Sequence, residues 1–447
     1  MRRASDPPRD ARYSRPVFAE RRQRVRDAMG EGAVAILLGA GLVPRSRDTE
    51  YPFRQDSDFW YLTGFAHPDA VAVLRTDGGP AFTLYVQPGD REREIWTGRR
   101  PGVEGALRDF GADESHPAPD FRKHLPDLVS RARRVYHVLG RDRSVDALLT
   151  ETLEGLRLRS RAGLNPPSEI VDPRSIVHEM RLVKEPAELD IMRRAQEITR
   201  EGHAEAARRA RDSVPEYELQ AALEFTFRRR GAAGPAYGTI VGGGANATVL
   251  HYIANDRPLR DGELVLIDAG SELQGYASDV TRTYPVGGRF AGPGRAVYEV
   301  VLEAQRAALA HCRPGSDLGA IHAAAVRRLA EGLVALGLLE GDPDQLVADE
   351  SYRRFYMHNT SHWLGLDVHD VGSYRVNGQH RALAPGMVLT VEPGLYVAPD
   401  DERAPPRFRG IGVRIEDDVL ITAEGCENLS SSIPKAPDEV EALVAGG

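Results

Sequence analysis

The chain has 447 residues, 41% of them hydrophobic and 28% charged, with a formal net charge of −8. That length allows two or three domains with a large core, the composition is that of a soluble globular protein, and the acidic balance argues against nucleic acid as the main partner. With only Cys312 and Cys426, a disulfide framework is excluded and a reducing compartment is the natural setting.

Residues 1–16 are polar and proline-rich and read as a disordered tail. No apolar h-region follows Arg2 and Arg3, and the stretch from Ala33 to Val43 is too short to cross a bilayer, so a cytoplasmic protein without membrane contact is expected. An α/β domain is expected over 17–174. It opens with a helix from Val17 to Met29, followed by strands at Ala33–Leu38, Ala70–Leu74 and Ala81–Val86, and alternates to about Gly163. Asn165-Pro-Pro-Ser-Glu and Asp172-Pro173 read as a linker. The remainder, 175–447, begins with a helix at Lys184-Glu-Pro186-Ala-Glu188, with Leu189, Met192, Ala195 and Ile198 at helical spacing. A second helix opens at Ser213-Val-Pro-Glu216, which has capping-box spacing, and stops at Gly231. A third, similar segment runs from Pro314 through Leu336 and stops at Gly337.

Each of the last two helices precedes a short apolar strand that ends on an acid. One copy is Gly262-Glu-Leu-Val-Leu-Ile-Asp268-Ala-Gly270; the other is Gly386-Met-Val-Leu-Thr-Val-Glu392-Pro-Gly394. A carboxylate at the end of a buried strand is costly unless its charge is compensated, so the duplication suggests two related halves around a cation. A hairpin turning at Gly275 can bring Asp279 beside Asp268; the bland alternative is that Asp268 caps a turn while Asp279 pairs with Arg282. Four histidines, at 358, 362, 369 and 380, cluster upstream of Glu392. The four-residue spacing of His358 and His362 is that of a helical zinc site. Asn359 replaces the required glutamate, however, and Gly365 and Gly372 imply irregular backbone, so that reading is rejected. Alternation places Gly412, Arg414 and Glu416 on one face of a strand; a solvated arginine–glutamate pair is the bland alternative. Together, Asp268, Asp279, Glu392, Glu416 and one histidine suit a pair of divalent ions. Manganese comes first for so oxygen-rich a set, with cobalt, iron or zinc as alternatives.

These residues, in this order, resemble the pita-bread metallopeptidases, and within them the aminopeptidase P branch. The resemblance runs from about Val17 to about Val444. It is carried by Tyr51 to Phe65, Glu94 to Arg100, His178 to Leu182, His251-Tyr252, Asp261 to Thr283, Ser361 to Gly372, Pro385 to Tyr396 and Arg409 to Asp418. It implies an α/β (α+β) fold: an N-terminal α/β domain of the creatinase/aminopeptidase P type, and a C-terminal pseudo-symmetric pita-bread domain. It implies hydrolysis of the N-terminal Xaa-Pro bond by a metal-bridged hydroxide, in proline-containing peptides. By position, the metal ligands would be Asp268, Asp279, His362, Glu392 and Glu416, with Glu392 also taking the proton. His251 would contact the scissile amide, and His369 would stabilise the oxyanion. His358, Arg414 and Tyr237 would line the proline site. Trp96 and Arg161 would reach the substrate site of a neighbouring subunit in a homotetramer or dimer, although ordinary core is the simpler role for Trp96. Asn359-Thr360 and Thr97 depart from the family pattern. The alternatives are a prolidase restricted to dipeptides, a methionine aminopeptidase, a metal-free creatinase-type hydrolase, and a non-catalytic peptide-binding module; the last would be expected to lose ligands.

Overall fold

The computed structural model describes residues 15–162 and 166–446. Among them the chain divides into two compact units, 15–180 and 181–446. Residues 1–14 of the expected tail, and the expected linker residue Asn165, lie outside the described residues.

The first unit opens with helix Arg15–Met29, which buries Val25 and Met29. Its six-stranded sheet has the order Glu114–Pro117, Phe82–Val86, Val71–Arg75, Ala33–Leu38, Arg134–Tyr136, Glu169–Val171. The strands at 82–86, 71–75 and 33–38 pair antiparallel, and the others join in parallel. Val34, Ile36, Val73 and Tyr85 pack against Phe121, Leu125, Leu149, Leu153 and Leu156, so helices Phe121–Val129 and Arg143–Leu158 cover the sheet. Strand Ala33–Leu38 falls where the apolar run places it, and the next two start one residue late. The proline-flanked segment read as linker contains a strand, Glu169–Val171. Pairing with Arg134–Tyr136 satisfies its backbone.

The second unit is built from two related halves. Each combines a helix pair with a three-stranded antiparallel sheet. In the first half, helices Pro186–Ala207 and Glu216–Arg229 accompany strands Ile240–Gly243, Leu264–Asp268 and Thr281–Pro285. In the second, helices Gly292–Leu309 and Leu318–Ala335 accompany strands Val388–Val391, Asp417–Ile421 and Cys426–Asn428. Both pairs close on a glycine: a Cβ on Gly202 would strike the Phe227 ring, and one on Gly332 would strike Val300. Helix Gly292–Leu309 is an element the sequence reading passes over.

Helix Pro186–Ala207 starts as expected, with a reciprocal capping box between Glu185 and Glu188. The capping box expected at Ser213 does not form. Ser213 has φ +64°, its hydroxyl bonds Asp212, and the helix begins behind Pro215 without a side-chain cap. The returning strand expected over Tyr276–Tyr284 is broken in two. Tyr276–Ala277 pairs with Ser271–Leu273, and Thr281–Pro285 pairs with Leu264–Asp268. At the break the Asp279 amide donates to the Asp418 carboxylate at 2.9 Å, a partner distant in sequence that interrupts the ladder. No helix among the described residues is long and apolar enough to cross a membrane.

Candidate metal centre

The two acid-ended strands deliver their carboxylates to one place. Asp268 is the last residue of strand Leu264–Asp268, opposite Thr281; Glu392 directly follows strand Val388–Val391, whose Val391 lies opposite Asp417. Asp279 occupies the break in the returning strand, and Glu416 the two-residue gap between strands Ile411–Arg414 and Asp417–Ile421. His362 lies in the irregular segment that replaces a helix between 358 and 371. Asp279, His362 and Glu416 each present a ligand atom within 4.8 Å of the others. The His362 Nε2 is 3.3 Å from Asp279 and 3.6 Å from Glu392. The Tyr237 hydroxyl lies 2.6 Å from both Asp268 and Asp279 and so ties these two acids together. All five expected ligand side chains therefore converge, and the alternatives for them fall. Arg282 pairs with Asp417 rather than Asp279, and Arg414, 4% exposed, binds Asp268 at 2.6 Å rather than solvent.

The charges in this cluster do not balance on their own. Burial, with Asp279, Glu392 and Asp268 nearby, pushes the Glu416 carboxyl well above its usual range. Burial lifts Asp268 too, although Arg414 pulls the other way. It raises Glu392 to about 7, against the pull of His362 and Arg414. Burial disfavours a charged His362, but Asp279 and Glu392 outweigh it and raise the imidazole to about 9. Four carboxylates with one guanidinium and one imidazole form an oxygen-rich donor set short of positive charge. That is the chemistry of a site for hard or borderline divalent cations.

Around this centre, His358 is placed by two bonds. Its Nδ1 lies 2.8 Å from the Asn359 carbonyl and its Nε2 lies 2.9 Å from the Tyr396 hydroxyl. Burial, with Arg414 close by, lowers its pKa to about 3, so the ring is neutral: Nδ1–H donates and Nε2 accepts. The Arg414 guanidinium donates to Tyr396 and to Thr281, whose hydroxyl donates in turn to Glu416 at 2.7 Å. His369 stacks edge-on against His362, with centroids 4.5 Å apart. Burial and then His362 lower its pKa. His251 is exposed, yet near enough to His358 and His369 for its charge to weigh on both.

Residues 190–423 match the family described as metallopeptidase family M24, and residues 18–136 match the aminopeptidase P N-terminal domain. This chain belongs to metallopeptidase family M24. It is 47% identical to the Xaa-Pro aminopeptidase of Escherichia coli over 96% of this chain and 98% of that one. Pseudomonas aeruginosa aminopeptidase PepP superposes with a TM-score of 0.94 at 46% identity, covering 97% of this chain and 98% of the other. A glutamate-to-alanine variant of E. coli aminopeptidase P in complex with substrate superposes with a TM-score of 0.93, again at 46% identity and with the same coverage. As an M24 protein the chain is a metal-dependent aminopeptidase, with an aminopeptidase P-type α/β domain and a pita-bread domain.

Two of the substrate residues expected from the family lie in the other unit. Trp96 is the penultimate residue of helix Arg91–Thr97 and is 88% exposed, which rules out ordinary core; Arg161 is exposed in the 3₁₀ turn Ser160–Ala162. Sequence reasoning passed over Tyr396 and Thr281, which join His358, Arg414 and Glu416. Thr281 carried a signal in its two-residue spacing from Asp279 along the returning segment. Tyr396 carried none, because its partner His358 is 38 residues away.

Proposed function

We propose that this M24 enzyme removes the N-terminal residue from peptides whose second residue is proline, using two divalent ions, manganese foremost. The observation that carries this reading is the convergence of Asp268, Asp279, His362, Glu392 and Glu416 from both halves of one domain. These five residues would hold the ions. When bound, such ions supply Lewis acidity and lower the pKa of water. Glu392 takes the proton of the attacking water and returns it to the prolyl nitrogen. His369 stabilises the developing oxyanion, and His251 orients the scissile amide. His358 and Arg414, linked through Tyr396, form one side of the proline pocket, and Tyr237 fixes Asp268 against Asp279. Proline requires a dedicated enzyme because its tertiary amide has no N–H and isomerises slowly.

The resemblance to the E. coli Xaa-Pro aminopeptidase over nearly the whole of both chains supports the same specificity here. We further propose a cytoplasmic homo-oligomer, a tetramer or dimer, in which exposed Trp96 and Arg161 reach a neighbouring copy. The test is hydrolysis of Arg-Pro-Pro by metal-stripped protein reloaded with Mn(II). Release of arginine only after reloading supports the reading. An intact tripeptide beside a cleaved Arg-Pro dipeptide would assign the protein to the prolidases instead.

A further inference from the structure

His251 is oriented without a tether of its own. Among the described residues, neither ring nitrogen has a hydrogen-bond partner, and the side chain is exposed. It follows a 3₁₀ turn, Gly244–Thr248, in the loop between strand Ile240–Gly243 and strand Leu264–Asp268. The direction of the imidazole is therefore inherited from the backbone of that loop.

The loop is organised by one carboxylate. Glu216, the first residue of its helix, is fully buried. Its Oε1 accepts from the Gly243 amide at 2.7 Å and the Asn246 side chain at 3.0 Å. Its Oε2 accepts from the Tyr252 hydroxyl at 2.9 Å and the Arg257 amide at 3.0 Å. An ionised carboxylate has about four acceptor sites, and all are used here. The four donors bracket His251 on both sides, and one of them, Tyr252, is its immediate neighbour. The Asn246 amide also reaches the Tyr252 hydroxyl at 2.9 Å, closing the network. The far end of the loop has a second anchor. Asn255, with φ +48°, accepts from the Val241 amide and donates to Gln220 on the same helix as Glu216. A glutamate three residues after Ser213 would ordinarily reach back to cap the helix; here the carboxylate serves the loop instead.

We propose that Glu216 is a positioning residue for peptide hydrolysis, acting through the 243–257 loop on the orientation of His251. This rests on the reading of His251 as the group that meets the scissile amide. Glu216→Gln replaces an acceptor oxygen by an NH₂, so donors on one side of the network face a donor.

The experiment is a double-mutant cycle on kcat/KM for Arg-Pro-Pro with the manganese-loaded full chain. Glu216→Gln is expected to lower kcat/KM by about tenfold to a hundredfold, the scale of a misplaced contact group. His251→Ala is expected to cost at least as much, and the double variant to be no worse than His251→Ala alone. Tyr252→Phe, which removes one hydroxyl, is the second probe and remains usable if Glu216→Gln does not fold. Its smaller loss should likewise vanish in the His251→Ala background. Losses that multiply in the double variants would overturn the proposal and leave Glu216 a merely structural residue. If the parent cleaves Arg-Pro-Pro and His251→Ala costs nothing, the role given to His251 fails and the proposal falls with it. A parent inactive on Arg-Pro-Pro would instead count against the proposed specificity itself.

Discussion

Glu392 and His369 have different roles in the proposed chemistry, and the difference can be measured. Glu392 faces His362 and sits beside His358, 3.5 Å away, inside the carboxylate cluster. Glu392→Gln keeps the side chain's shape and removes the group proposed to move the proton. It should lower kcat by about 10²–10⁴-fold while the protein stays folded by circular dichroism. His369→Ala should cost about 10²–10³-fold in kcat, the scale of one lost oxyanion donor. Most of this centre was legible in the sequence, because an acid ending a buried apolar run is conspicuous when it occurs twice. The linking groups were not. Thr281, Tyr396 and Glu216 act through bonds to residues 135, 18 and 27 to 41 positions away. Only the tertiary fold creates those distances.

At the scale of elements, the site depends on backbone passing close to backbone. A Cβ on Gly412, in strand Ile411–Arg414, would overlap the Ala247 carbonyl in the 3₁₀ turn before His251. Gly412→Ala should therefore destabilise the protein by about 1–3 kcal/mol, read as a lower urea midpoint. The segment carrying His369 is held differently. Asp370 is buried between Lys184, 3.0 Å away, and Arg181, 2.5 Å away. Burial alone would raise its carboxyl, but Lys184 and Arg181 outweigh it and hold the pKa below the ordinary value. A group with a depressed folded pKa adds stability that is present above its unfolded pKa, about 3.9, and is lost as pH falls through the lower folded value. Asp370→Asn should cost about 3–5 kcal/mol at neutral pH, because it takes the carboxylate from buried Lys184 and one of the two carboxylates from Arg181, which keeps Asp367 at 2.8 Å. The gap to the parent should narrow as pH drops below about 4. Sequence reading located the elements here more surely than their ends. The apolar run Ala33–Leu38 gave its strand directly. The returning strand after Gly275 is broken by the long-range bond from Asp279 to Asp418, which no local pattern encodes.

For the whole molecule, the two halves of the second unit form one acidic cradle. The duplication seen in the paired strands is real at the level of helix pair plus sheet, and asymmetric where the histidine-bearing segment enters ahead of Glu392. Removing metal leaves the carboxylates facing one another. Manganese at a hundred times its Kd should stabilise the fold by about 2.7 kcal/mol per independent site. Metal-free Glu416→Gln should melt above the metal-free parent, since one of the crowded acids is gone, whereas the manganese-loaded variant should melt below the manganese-loaded parent. Sedimentation should report a homo-oligomer, and replacing exposed Ile95 and Trp96 by serine should shift it to smaller species. Proline specificity built on a metal cradle is tested by comparing initial rates of the manganese-loaded protein on Arg-Pro-Pro and Arg-Ala-Ala. Arginine should be released from Arg-Pro-Pro with Arg-Ala-Ala left essentially intact; equal rates, or a faster rate on Arg-Ala-Ala, would rule that specificity out.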